Sequence, residues 1–149
     1  MKKIFIYMLS SFFLIQFSFA DEDPQAFVKK VFDELDMNRD GIIDKKDINK
    51  FSKNEFVLMD KNKNQLISKN EFFEFVCTKS CNEGNCECKD YKKKWDLEYL
   101  REYWERIDAD NNGNITPEEK LNADMDSFYS LDSNGDNKLD QTDIEKQLY

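Results

Sequence analysis

Four twelve-residue stretches of this chain follow one pattern, and their spacing limits the folds open to it. They are DMNRDGIIDKKD at 36–47, DKNKNQLISKNE at 60–71, DADNNGNITPEE at 108–119 and DSNGDNKLDQTD at 132–143. Each places Asp first, Asp or Asn third and fifth, an aliphatic residue eighth, and Asp or Glu twelfth. Within each half of the chain the two stretches start 24 residues apart, the mark of a duplicated unit. Helical flanks are expected around them. Val28, Val31, Phe32 and Leu35 precede the first stretch and Leu100, Tyr103, Trp104 and Ile107 the third, both sets at the spacing of an apolar helix face. Phe51, Phe56, Phe72, Phe75, Phe128 and Tyr129 continue the expected core.

The alternating oxygen-bearing residues resemble the loops of the EF-hand family over most of the chain. That resemblance implies an all-α fold built as two EF-hand-type pairs, each helix-loop-helix-loop-helix, with Ca2+ as cofactor and partner. Calcium takes six to eight hard oxygen ligands, which such a loop supplies by turning alternate side chains inward. The seventh residue gives its carbonyl, the ninth acts through a water, and a carboxylate at the twelfth closes the shell. Glycine at the sixth place permits a bend with positive φ.

Carried onto this sequence, the first loop offers Asp36, Asn38, Asp40, the Ile42 carbonyl and Asp47, with Asp44 through water. The second offers Asp60, Asn62, Asn64, the Leu66 carbonyl and Glu71, with Ser68 through water, but has Gln65 at the bend. In the third, Asp108, Asp110, Asn112, the Asn114 carbonyl and Glu119 surround Gly113, with Thr116 through water; nothing there departs from the pattern. The fourth has Asp132, Asn134, Asp136, the Lys138 carbonyl and Asp143, with Asp140 through water and Asn137 at the bend. Two to four ions are expected. Loops one and four end in Asp, a methylene shorter than Glu, and the second pairs a strained bend with only two charged ligands, so it ranks weakest.

Each loop also carries a helix start. Ser68 to Glu71 and Thr116 to Glu119 read as capping boxes, and Asp44 to Asp47 and Asp140 to Asp143 as shorter versions. Residues 48–59 and 120–131 leave room for one helix of about 18 Å between the loops of each half. A shared helix holds those two loops too far apart for their eighth residues to pair as strands about 4.8 Å apart. Ile43, Ile67, Ile115 and Leu139 are therefore expected to pair between halves.

The ends and the middle carry other signals. Residues 1–20 read as a signal peptide, with Lys2 and Lys3 before an apolar run and Ser18-Phe19-Ala20 before the cleavage point, rather than as a membrane anchor. A secreted or periplasmic location and no stable membrane anchor after cleavage are the consequences. The leader holds two lysines and no acid, so its loss takes the net charge from −9 to −11. Such an acidic chain repels nucleic acid and anionic membrane and suits cations. The organisation expected is a first pair at 21–76, a Cys-rich linker at 77–91 and a second pair at 92–149. Cys77, Cys81, Cys86 and Cys88 point to two disulfides in an exported chain, with a zinc site or a redox role as alternatives.

No catalytic constellation is present, and with no histidine the commonest general base is missing, so no enzyme is expected. Structural or buffering use of calcium, a sensor role for Met37, Met59 and Met125, and a calcium-dependent adaptor for a protein partner remain open. Asp47-Ile48 and Asp143-Ile144 resemble the loop ends of dockerins, which motivates the adaptor.

Overall fold

The computed structural model describes residues 23–80 and 98–147, with side chains described over 23–76 and 101–147. Residues 1–20, read as a signal peptide, and the cysteine pairings lie outside the described residues. Six helices are described: α1 (Pro24–Leu35), α2 (Lys45–Met59), α3 (Lys69–Ser80), α4 (Glu98–Ile107), α5 (Pro117–Leu131) and α6 (Gln141–Glu145). Four two-residue strands lie in the loops: β1 (Ile43–Asp44), β2 (Ile67–Ser68), β3 (Asn114–Ile115) and β4 (Lys138–Leu139). The all-α expectation holds for the bulk, with these short strands added.

Local chemistry sets the helix boundaries. Asp23 caps α1 by accepting from the Gln25 amide, and Pro24 fills the first turn, where its missing N–H costs nothing. The other end closes when the Asp36 amide donates to the Phe32 carbonyl (3.0 Å), and Asp36 then opens the first loop. All four capping boxes form. In each, the ninth loop residue accepts from the amide of the twelfth, and the twelfth carboxylate accepts from the amide of the ninth.

The strands pair between the sequence halves. β1 runs antiparallel to β4 with Ile43 opposite Leu139, and β2 to β3 with Ile67 opposite Ile115. All four aliphatic side chains are fully buried. Among the described residues the compact units accordingly differ from the sequence halves 21–76 and 92–149: those up to 52 and from 124 onward form one, and those between 53 and 123 the other. The physical reason is the shared helix, which gives α2 and α5 a loop at each end and leaves each loop to find its strand partner in the other half.

In the first unit, Phe27, Val28, Val31 and Leu35 of α1 pack with Ile43, Ile48, Phe51, Phe128, Leu139 and Ile144, with Phe32, Met37 and Met125 at the margin. Tyr129 departs from the expected core: it is half exposed, edge-on to Phe128, with the Lys45 ammonium 5.0 Å from its ring centre. Phe128 faces inward, and the next helical position is turned about 100° away, out of that face. In the second unit, Phe72 meets Trp104 edge-on at 5.4 Å and Tyr103 at 5.6 Å, and Met59 is buried. The same unit buries an ion pair that the sequence did not announce, Lys120 Nζ to Glu55 Oε2 at 3.1 Å.

Candidate metal centre

All four loops adopt one backbone. The fourth and sixth residues have positive φ throughout: Arg39 and Gly41, Lys63 and Gln65, Asn111 and Gly113, Gly135 and Asn137. The bend at the sixth place was legible from its glycines, whereas the one at the fourth was missed, although Asn111 and Gly135 there are residue types that tolerate it. Gln65 sits at φ 66°, so the second loop does carry the strained bend expected of it.

This backbone turns amides toward the first aspartate. Gly41, Gln65, Gly113 and Asn137 each donate to Oδ2 of Asp36, Asp60, Asp108 and Asp132, at 2.8 to 3.0 Å. The fifth residues Asp40, Asn64, Asn112 and Asp136 donate to Oδ1 of the same aspartates at 3.0 to 3.2 Å. A second ladder links the third residue to the fifth and the fifth to the seventh: Asn38, Asn62, Asp110 and Asn134 accept from the fifth amide, and Asp40, Asn64, Asn112 and Asp136 from the amides of Ile42, Leu66, Asn114 and Lys138. The side-chain oxygens are thereby gathered on the inside of each turn.

The twelfth residue separates the loops. Glu71 and Glu119 reach across to the third residue, accepting from the amides of Asn62 (3.2 Å) and Asp110 (3.5 Å). Their other oxygen stays on the helix start, where Ser68 and Thr116 donate through both amide and hydroxyl. Asp143 reaches only the second residue, taking the Ser133 hydroxyl at 2.6 Å, with Lys146 Nζ 4.0 Å away. Asp47, equally short, is bonded to the Asp44 amide at the helix start. The missing methylene decides how far the carboxylate crosses the loop.

The surroundings tune these acids differently. Burial raises the Asp47 carboxyl above the ordinary aspartate range, and the charges of Asp44 and Asp36 add to it, against the Asp44 amide. Burial also works against the charge of Glu71, but donors from Ser68, Asn62 and Lys61 outweigh it and leave that carboxyl below its ordinary range. For Asp143, burial is outweighed by the Ser133 hydroxyl, the Asp140 and Ser133 amides and the Lys146 charge, and the carboxyl is again lowered. The ninth residues Asp44, Ser68, Thr116 and Asp140 all spend their side chains on the helix start.

Among the described residues, one group of three acids is drawn together tightly enough to hold a single ion: Asp108, Asp110 and Glu119 each offer an oxygen within 4.8 Å of the others. The donor set is all oxygen and carries three negative charges, which fits a hard divalent cation. Asp108 has a further partner that the sequence did not reveal. The buried Trp104 indole N–H donates to its Oδ2 at 3.0 Å. Trp104 read as part of an apolar stripe, and the available signal was the comparison with Phe32, Phe56 and Phe128, which stand four places before the other three loops.

Comparison with known proteins agrees with this geometry at one loop. Residues 28–52 match the family model described as EF hand, a span that takes in most of α1, the whole first loop and the start of α2. No match was found among curated proteins or among solved structures. The matched segment is similar to an EF hand, and the loops at 60–71, 108–119 and 132–143 repeat the backbone of the matched one.

Proposed function

We propose that the chain binds calcium through loops 36–47, 60–71, 108–119 and 132–143, tightest at the third, and uses the ion to hold its loop pairs together. The observation that carries this is the convergence of Asp108, Asp110 and Glu119 in a loop whose backbone the other three repeat. The third loop combines three charges, a Glu that spans the turn and glycine at the bend, a set that no other loop has complete. The first and fourth follow, limited by their short twelfth carboxylates. The second comes last, since Gln65 is strained and Asp60 and Glu71 are its only charged ligands.

Structural or buffering use fits better than sensing. Met59 is buried and Met37 and Met125 pack against a core, so the methionines are engaged in packing instead of lining an open groove. With the leader read at 1–20, the same ion would serve the chain outside the cytoplasm, where calcium is used as structural glue. A ligand at a hundred times its Kd stabilises a protein by about 2.7 kcal/mol, a rise in Tm of roughly 10 °C for a chain of this size. Thermal unfolding in calcium against chelator tests the reading: a rise of that order is expected, and an unchanged Tm contradicts it.

A further inference from the structure

We infer that Trp104 is a positioning residue for the third loop, fixing the rotation in which the Asp108 carboxylate presents an oxygen to the ion, and that it sets this site above the other three. The inference rests on the calcium reading and names what makes one site different. Asp108 Oδ2 accepts from both the Gly113 amide (3.0 Å) and the Trp104 indole (3.0 Å), which fills both of its in-plane lone pairs. Oδ1 accepts from the Asn112 amide at 3.0 Å and keeps a lone pair for a ligand.

Rotating the carboxylate out of this plane would strand the indole N–H, and Trp104 is only 2 % exposed, so water is not at hand to replace the lost acceptor. The ring is itself held in place, edge-on against Phe72 at 5.4 Å. Asp108 is therefore oriented before an ion arrives, and the ordering cost of binding falls. The chain contains its own control. At the same place, one helical turn before the first aspartate, the other loops have Phe32, Phe56 and Phe128, which have no donor to offer. The loop with the indole is also the one whose three acids converge.

The test is calorimetric calcium titration of the chain and of Trp104→Phe, with the third site identified as the transition lost in Glu119→Gln. The expected result is that the Phe variant weakens that transition roughly three- to tenfold, the net scale of one hydrogen bond, and leaves the others unchanged. Because a smaller ring also disturbs packing, a chain with Trp104 replaced by benzothienylalanine, the same shape without the N–H, is titrated beside it. Loss of affinity at the third site in both supports the role; where the Phe variant fails to fold, the isostere alone decides. In 1H–15N spectra the Trp104 indole resonance should shift with the first equivalent of calcium. Third-site affinity equal to that of the unaltered chain in the isostere overturns the inference while leaving the calcium reading intact. No calcium binding by the unaltered chain overturns the calcium reading, and this one with it.

Discussion

At the scale of single residues, reach and backbone angle decide how well each loop works. Glu119 crosses the third loop to the Asp110 amide while its other oxygen is held by Thr116. Glu119→Gln keeps the shape and removes the charge, and should weaken the tightest site by about 2 kcal/mol, roughly thirtyfold, in a calcium titration. Glycine at the bend tests the backbone separately. A methyl group at Gly41 would meet nothing within 4 Å, so Gly41→Ala carries only the conformational cost of φ +83°, about 1 kcal/mol in chemical denaturation. A loss well above 2 kcal/mol would show that the bend is doing more than turning the chain. Asp47 makes the opposite case, since its buried charge faces Asp44 and Asp36 and is lifted out of its ordinary range. Asp47→Asn should raise the Tm of the calcium-free chain and reduce the rise that calcium brings. The bend at the sixth place and the bonds between the ninth and twelfth residues were legible, because both follow from loop position. The Trp104 hydrogen bond was not, since an indole in an apolar stripe looks like core until its N–H is given a direction.

At the scale of elements, the duplicated sequence does not produce duplicated interiors. The helix starts were readable because capping boxes are local, and all four formed. The ion pair of Lys120 and Glu55 was not, because it joins α5 to α2 across 65 positions of sequence and no short-range pattern encodes it. By the 72-residue repeat that relates the two halves, these positions correspond to Ile48 and Ser127, both buried in the other unit. One place in the fold thus holds a charged pair in one copy and an uncharged pair in the other. Removing one partner of a buried pair leaves an uncompensated charge, so Lys120→Met alone should cost about 3 to 5 kcal/mol in chemical denaturation. The double substitution with Glu55→Leu should recover most of that loss, and a double variant as unstable as the single one would refute the account of this pair.

At the scale of the whole molecule, the spacing of 24 residues is the feature from which most follows. It was enough to expect one helix between the loops of each half and strand pairing between halves, and both are found. What it left unread was where the compact units divide, at Ser52 and Lys53 within α2 and Ala123 and Asp124 within α5, because that depends on packing and not on period. A fragment of residues 21–76 keeps two loops but loses both strand partners, as does 92–149. Each should show little cooperative unfolding alone and regain it on mixing; an independently stable half would contradict the pairing. The most direct test of the central claim is calorimetric titration of the chain with calcium. Saturable binding of two to four ions, with the tightest step abolished by Glu119→Gln, is the predicted result, and the absence of any binding heat together with an unchanged Tm would contradict it.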